Sequence, residues 1–271
     1  MNTTARPFGA QLRDWRQRRN LSQLALACEA ELSSRHLSFL ETGRSIPSRE
    51  MVLRLADRLD IPLREQNSLL LAAGFAPAFP TRSWEDPALD AVRQTLQTLL
   101  TAHEPYPALA IDRHWCLVAS NRAVGPLLRE VAPWLLSAPV NVLRLSLHPD
   151  GLGSRIVNFA EWHEHVMHRL GRQRDQTADP TLSALFEELA GYGRSDVRTV
   201  CAASVAGGSS IAVPLQLVTE VGVLSLLSTT MVFGTPLDVS LSELAVETFL
   251  PADTASGNAL RCLLSNQPSA E

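Results

Sequence analysis

The chain has 271 residues, of which 45% are hydrophobic, so it can bury a sizeable core in one large domain or two smaller ones. Because there is no run of about 18 apolar residues and no secretory signal, we expect a cytoplasmic protein with no place in a membrane. The net charge of −4 is unevenly distributed along the chain. Residues 1–75 contain 11 Arg and 8 acidic residues and so carry +3, whereas the remaining residues carry −7. This asymmetry is typical of a polyanion-binding module attached to an acidic body.

The first 75 residues predict five short helices. Ser22 and Ser33 are placed to cap the second and third helices, and Gly43 is placed to end the third. Two more helices are predicted to start near Ile46 and at Pro62. An all-α module is therefore expected at this end of the chain.

The third helix has an apolar and a polar side. Leu37 and Leu40 lie three residues apart on the side expected to be buried. The opposite side carries hydrogen-bonding groups, from Ser34, Arg35, His36 and Ser38. Two short helices joined by about four residues, with a polar outer face on the second, are typical of a helix-turn-helix that reads the major groove of double-stranded DNA.

The segment "LRDWRQRRNLSQLALACEAELSSRHLSFLETGRSIPSREMVLRLADRLDIPL" resembles the lambda-repressor-like (Xre) family in its Ser-Gln start of helix two and its "ExGxxxPS" exit from helix three. The resemblance implies that Gln23 holds a phosphate and that Arg44 meets the DNA backbone. It also implies a base-reading surface to which we assign Ser34, Arg35, His36 and Ser38. Their chemistry fits, because Arg can pair bidentately with guanine and helix N-termini favour phosphate.

Glu31 departs from the pattern of this family, which usually has Gly in the turn between helices two and three. A left-handed backbone at Glu31 would cost about 1 kcal/mol, and its carboxylate adds negative charge near DNA. The alternative is that these helices form a protein-binding bundle whose polar face is only solvated. The order of caps, turn and exit favours DNA binding.

A stretch rich in proline, "GFAPAFPTRSWEDP", marks a domain boundary. The predicted domains are a DNA-binding head at 1–75, a linker and connecting helix at 76–103, and a second domain at 104–265.

The second domain mixes strands and helices. "PALAIDRHWCLVASN" predicts two strands joined by a turn at Asp112 and Arg113. Three further strands are predicted, at Val197–Cys201, Ile211–Val218 and Val221–Phe233. Three helices are predicted, at Ser154–Gln173, Thr181–Tyr192 and, last, Leu241–Phe249. This order indicates an α+β domain with an antiparallel sheet.

Three strings carry a second resemblance, "NVLRLSLHPDGLGSRIVNFAEWHEHVMHRLGRQ", "DPTLSALFEEL" and "FGTPLDVSLSELAVETFLPAD". They resemble the ligand-binding domain of MmyB-like transcription regulators, a PAS-like domain that follows an Xre head in the same order. The resemblance implies a sensor cavity for a small apolar ligand, with a fatty acid or fatty-acyl compound as the suspected class.

No catalytic or metal-binding pattern emerges from the sequence. In "WHEHVMH" the position where a zincin needs its second histidine is Met167, and the four cysteines form no CxxC pair. "GGSSI" is not a nucleophile elbow, and no phosphate-binding glycine loop occurs. We therefore predict no enzyme activity, no metal and no cofactor.

Polar residues in apolar surroundings are the candidates for ligand binding, namely Arg144, His148, Asn158 and Trp162. Arg144 could clamp a ligand carboxylate, because Arg pairs bidentately with carboxylates. The alternative is structural: these four residues tie a helix to a loop, and a protein carboxylate balances Arg144.

Together these patterns predict a homodimeric transcription regulator that binds double-stranded DNA and a small ligand. A DNA-binding adaptor whose second domain binds only proteins is the alternative, and a lipid-metabolising enzyme is a more distant one. Lipid that co-purifies with the protein would distinguish the sensor from the adaptor, and turnover of that lipid would favour the enzyme.

Overall fold

The computed structural model describes residues 6–192, 212–234 and 236–265. The chain consists of two structural units. The first unit runs to Trp84 and includes residues 175–177 and 235–242, and the second contains the remainder from Glu85. The division at Trp84 falls within the segment predicted as linker and connecting helix.

Five helices form the N-terminal part of the first unit, which we call the head. They are α1 (Phe8–Arg18), α2 (Gln23–Glu29), α3 (Ser34–Glu41), α4 (Arg49–Arg58) and α5 (Leu63–Ala72). Three begin after a serine whose hydroxyl accepts a backbone N–H bond at 3.0–3.2 Å, namely Ser22, Ser33 and Ser48. Each cap satisfies a donor that the first helical turn leaves unpaired, which explains why the helices begin there.

The core of the head consists of leucines with no exposed surface, among them Leu12, Leu26, Leu37 and Leu40. Gly9 is needed where α1 meets the end of α3. A Cβ atom at Gly9 would lie 2.5 Å from the carbonyl oxygen of Leu40, so a larger residue would force the helices apart.

The second unit is built on a five-stranded antiparallel sheet with the order β2-β1-β5-β4-β3. Its strands are β1 (Ala108–Ile111), β2 (Leu117–Ser120), β3 (Leu215–Thr219), β4 (Gly222–Val232) and β5 (Ala245–Pro251). Four of them correspond to predicted strands. The strand predicted at Val197–Cys201 lies outside the described residues.

The helices of the second unit begin with α6 (Asp90–Ala102). They continue with α7 (Val142–Leu147), α8 (Phe159–Thr177), α9 (Pro180–Tyr192) and, after the sheet, α11 (Thr254–Ser265). Helix α8 starts five residues later than the predicted Ser154, because residues 153–155 form a separate 3-10 turn. The result is the α+β arrangement that the sequence predicts.

The prediction of a last helix at Leu241–Phe249 is wrong. The short helix α10 (Val239–Ser242) ends within it, and residues 245–249 belong to β5, which lies between β1 and β4. Val246, Glu247 and Thr248 are all buried, so β5 lacks the alternation of polar and apolar residues that marks a half-exposed strand. Pairing with two neighbouring strands decides its conformation.

Helix α10 belongs to the first unit and contacts the segment that follows α5. The backbone N–H of Val239 donates to the carbonyl of Pro80 at 2.9 Å, and Arg82 pairs with Asp238. The connection between β4 and β5 is therefore part of the first unit.

Candidate functional site

The polar face predicted on α3 is present, and we call Ser34, Arg35, His36 and Ser38 the recognition face. Ser34 and Arg35 are exposed, His36 and Ser38 are half-buried, and the leucines on the other side of α3 are buried. The hydroxyl of Ser33 caps α3 by accepting the backbone N–H of His36, and the first residues of the helix are exposed. The arrangement suits insertion of α3 into a groove of DNA.

Phe39 organises the two arginines that were predicted to contact DNA. The guanidinium carbon of Arg35 lies 5.4 Å from the centre of the Phe39 ring, and that of Arg44 lies 5.9 Å from it. Such cation–π contacts restrict the long side chains. Phe39 was missed by the sequence analysis, although its position four residues after Arg35 is the spacing of neighbours on a helix.

A buried ion pair, Arg16–Glu41, which we call the head pair, joins α1 to α3. The Arg16 Nε and Nη2 donate to the two oxygens of Glu41 at 2.6 and 3.0 Å. Gln23, predicted to hold a phosphate, donates its side-chain N–H to Glu41 at 2.7 Å and so joins α2 to the same group. Burial alone would raise the pKa of Glu41, but the bonds from Arg16 and Gln23 outweigh it and hold that pKa below its ordinary value.

The turn between α2 and α3 adopts the left-handed conformation expected at Glu31. Its φ angle is +57°, in the region where glycine is favoured. Glu31 is exposed, so its carboxylate stands at the surface between the two helices of the motif.

The second unit contains an apolar cavity of about 90 Å³. Its walls come from the sheet and from α7 and α8, and include Leu109, Leu145, Trp162, Val166, Leu217 and Leu226. Four lining residues carry hydroxyl or charged groups, namely Ser146, Arg169, Ser228 and Glu247. A mostly apolar wall with a few polar groups is typical of a small-molecule site.

A second ion pair, Arg169–Glu247, lines this cavity, and we call it the cavity pair. The Arg169 Nη2 donates to Glu247 Oε1 at 2.6 Å and to the Thr230 hydroxyl at 2.9 Å, and Thr230 donates to Glu247 at 2.7 Å. The Arg169 guanidinium also lies 5.1 Å from the centre of the Trp115 ring, another part of the wall. The pair therefore places two fixed charged groups on the wall of a mostly apolar cavity.

Trp115 is positioned by the turn between β1 and β2. Its φ angle is +65°, which is uncommon for a bulky residue, and Asp112 stabilises the turn by accepting backbone N–H bonds from His114 and Cys116 at 2.8 Å each. The Trp115 indole N–H donates to Gln173 at 2.6 Å, which fixes the ring against the cavity.

Of the four residues predicted to bind ligand, Trp162 lines the cavity and Arg144, His148 and Asn158 do not. The Trp162 indole N–H donates to the Ser146 hydroxyl at 3.0 Å. Arg144 instead donates to both oxygens of Glu188 at 2.6 and 2.7 Å, so its partner is a protein carboxylate.

The surroundings of Arg144 are a closed group of protein contacts. Tyr192 donates to Glu188 at 2.5 Å, and burial together with the Glu188 carboxylate raises the pKa of Tyr192 to about 12. The His148 ring meets Trp134 and Tyr192 edge to face, with centroids 4.9 and 5.0 Å apart. These contacts favour the alternative in which Arg144 and His148 tie elements of the protein together.

Asn158 has a similar structural role at the start of α8. Its amide nitrogen donates to the carbonyl of Pro214 at 2.8 Å, and its amide oxygen accepts the N–H of Gln216 at 3.1 Å. Asn158 therefore attaches α8 to β3.

The cavity pair was missed because its two residues lie far apart in sequence. Glu247 was also assigned to a helix, which hid its position in the central strand. A signal was nevertheless present, since an acidic residue between apolar residues in "LAVETFL" needs a buried partner.

Two negative findings apply to residues 6–192, 212–234 and 236–265. In that part of the chain no three His, Cys, Asp or Glu side chains are grouped as metal ligands. No helix there combines the length and apolar character needed to span a bilayer.

A helix-turn-helix with an arginine-bearing recognition face, on the same chain as a domain that encloses an apolar cavity, defines a transcription regulator with a ligand-binding domain. Residues 92–263 match the MmyB-like transcription regulator ligand binding domain, and residues 7–69 match a helix-turn-helix domain. The chain belongs to the family of MmyB-like transcription regulators. It is also similar to the uncharacterized HTH-type transcriptional regulator RghRB of Bacillus subtilis (strain 168), with 32% identity over 111 residues, which cover 40% of this chain and 78% of that protein.

Proposed function

We propose that this regulator binds a specific DNA sequence as a homodimer in the cytoplasm, and that a fatty acid or fatty-acyl compound in the cavity of its second unit changes that binding. The observation that carries this proposal is the cavity itself, with apolar walls from sheet and helices and a charged pair among its lining residues. Under this proposal the protein is a sensor that catalyses no reaction and uses no cofactor.

The DNA-binding part of the proposal rests on the recognition face. Arg35 is exposed on the first turn of α3, where it can reach a base edge, and Arg44 follows the helix, where it can reach a phosphate. One head offers few such contacts, whereas two heads in a symmetric dimer would read two half-sites and double the contact area.

The nature of the walls supports an apolar chain as ligand. Leucine, valine and tryptophan side chains provide most of the lining, so water inside the cavity makes few hydrogen bonds there and is displaced at little cost. An alkyl chain would gain about 0.8 kcal/mol for each methylene group transferred from water.

Ligand control of DNA binding requires two arrangements of the protein that bind the ligand with different affinity. A ligand that favours one arrangement shifts the equilibrium by that difference in free energy, and DNA affinity changes with it. The β4–β5 connection is suited to transmit such a shift, since both strands line the cavity while residues 235–242 belong to the first unit.

An adaptor that binds proteins without a small molecule is a second candidate, favoured by the edge of the sheet. Val218 on β3 and Val223 on β4 lie opposite each other and are 44% and 55% exposed. Two exposed valines that are neighbours on β3 and β4 offer an apolar surface on which a partner protein can pack. Under this alternative Val218→Asp would abolish the regulatory effect, whereas filling the cavity would not.

Mass spectrometry of small molecules released from the purified protein tests the sensor proposal. Ser228→Leu fills the cavity from β4, so we expect this variant to lose a long-chain compound that the wild type retains. Thr229→Leu is the matched control, because the next residue of a strand points to the opposite face of the sheet. Selection of bound DNA from a random pool with the same proteins tests the DNA-binding part. Absence of any long-chain compound from the wild type, together with regulation that survives Ser228→Leu, would favour the adaptor.

A further inference from the structure

The cavity pair presents a balanced set of charges to whatever occupies the cavity. The side chain of Glu247 is 4% exposed and that of Arg169 is 22% exposed, and each is the ion-pair partner of the other. The cavity pair therefore contributes one positive and one negative group to the wall of the same cavity.

A charged head group would upset this balance. A ligand carboxylate that approaches Arg169 also approaches Glu247, so two carboxylates would share one guanidinium in a buried site, which is unfavourable. A ligand ammonium group that approaches Glu247 would meet Arg169 in the same way. The cost is high here because the surrounding walls are apolar and solvate charge poorly.

An uncharged group with both a donor and an acceptor fits the same site without this cost. Arg169 has five N–H donors, and its bonds to Glu247 and Thr230 in the described residues account for three of them. A ligand carbonyl can accept one of the others, while a ligand N–H or O–H can donate to a free lone pair of the Glu247 carboxylate. Trp115 and Thr230 hold the guanidinium in place, so the site is organised before the ligand arrives.

We infer that the natural ligand is an uncharged long-chain compound, an acyl amide or an alcohol, whose head group bonds to both Arg169 and Glu247 while their ion pair stays intact. This inference rests on the proposed function, because it requires an apolar chain in the cavity. Among long-chain compounds the head group then decides the affinity, and free fatty acids are expected to bind most weakly.

The test uses ligands of equal chain length and different head groups. Dodecanoic acid, dodecanamide and dodecanol, with their octyl and hexadecyl homologues, are titrated into the full-length protein stripped of co-purified compounds, and the melting temperature and Kd are measured. At each chain length that binds, we expect the amide or the alcohol to bind about tenfold more tightly than the acid. Acid binding as tight as or tighter than that of both others overturns the inference.

A variant of the cavity pair sharpens the test. Glu247→Gln removes the negative member and leaves Arg169 to attract an anion, so we expect the preference to reverse, with the acid about tenfold tighter than the amide. Glu187→Gln is the matched control, since it removes one negative charge from an exposed position on α9 outside the cavity lining. An unchanged order of affinity in Glu247→Gln overturns the assignment of the head-group site.

The outcomes separate this inference from the proposal beneath it. If acids bind best, the cavity still binds apolar chains, and only the head-group assignment fails. If no compound in the series binds to the stripped wild type, both fail together. The wild-type series decides the question even if Glu247→Gln does not fold.

Discussion

The head and the second unit each contain an arginine–glutamate pair whose glutamate is buried, and the surroundings of the two pairs differ. The head pair lies among packed helices, with 10% of the Arg16 side chain and 2% of the Glu41 side chain exposed. In the cavity pair 22% of the Arg169 side chain and 4% of the Glu247 side chain are exposed, and both residues line the apolar cavity. The same pair of groups therefore serves a structural role in one unit and faces a ligand site in the other.

This difference shows that a buried charge does not by itself indicate function. Gln23 and Arg16 donate three hydrogen bonds to Glu41, and the packed helices of the head surround that group. The cavity pair has a side from which a small molecule can approach. What lies next to a charged pair decides what the pair can do.

The largest effect is expected from breaking the head pair. Glu41→Gln leaves the Arg16 charge buried without its counter-ion, so we expect the head to lose about 3–5 kcal/mol of stability. Urea unfolding of the full-length protein, monitored by far-ultraviolet circular dichroism, measures the change. The double variant Arg16→Met with Glu41→Leu should recover most of the loss, because an apolar pair of similar volume needs no counter-ion. A single variant as stable as the wild type would show that the pair is dispensable.

The head pair also predicts a pH dependence. Because the folded-state pKa of Glu41 is lowered, the pair contributes stability above the unfolded pKa of the carboxyl, and that contribution is lost as the pH falls through the folded pKa. Wild-type stability should therefore decline more steeply in acid than that of the double variant. Parallel declines in the two proteins would contradict this origin of the stability.

A smaller loss of stability, about 1–3 kcal/mol, is expected from Glu247→Ala in the cavity pair. Arg169 is stranded as Arg16 is, but solvent reaches its partly exposed side chain and water can enter the cavity beside it. Unfolding of this variant beside Glu41→Ala compares the two pairs directly. Equal losses would mean that the cavity does not relieve the stranded charge.

Substitution of two arginines of the head distinguishes the reading of bases from the binding of phosphates. Arg35→Ala should cost about 1–3 kcal/mol at one base pair and relax the selected motif there. Arg44→Ala should weaken binding to all sequences and lower the salt slope by about one. Each variant is the control for the other, since both side chains contact Phe39. An unchanged motif with Arg35→Ala would remove α3 from the base-reading role.

The smallest effect is expected at the turn of the head. Glu31→Gly should stabilise the head by about 1 kcal/mol, because the backbone at φ +57° suits glycine better than glutamate. It should also tighten DNA binding slightly by removing a negative charge near the phosphates. Thermal unfolding with Glu29→Gln as a control for the charge separates the two contributions, and a lower melting temperature in Glu31→Gly would contradict the first.

The head was more predictable from sequence than the second unit because its determinants are local. Ser22, Ser33 and Gly43 act within a few residues of where they stand, so the caps, the turn and the polar face of α3 all follow from short patterns.

In the second unit the decisive contacts are long-range. β5 was read as a helix because its conformation depends on pairing with β1 and β4, and the Arg169–Glu247 pair joins residues 78 positions apart. Arg144 was correctly recognised as a charge that needs a partner, but sequence could not choose between a ligand and Glu188. Local patterns therefore specified the elements of the fold better than they specified the site.

The affinity of the full-length protein for its selected DNA, measured by fluorescence anisotropy with and without saturating co-purified ligand, tests the central claim most directly. The proposal predicts a change in Kd of about fivefold or more in the wild type and in Thr229→Leu, and none in Ser228→Leu. A wild-type Kd that is the same in the stripped and the saturated protein would contradict control of DNA binding by the cavity.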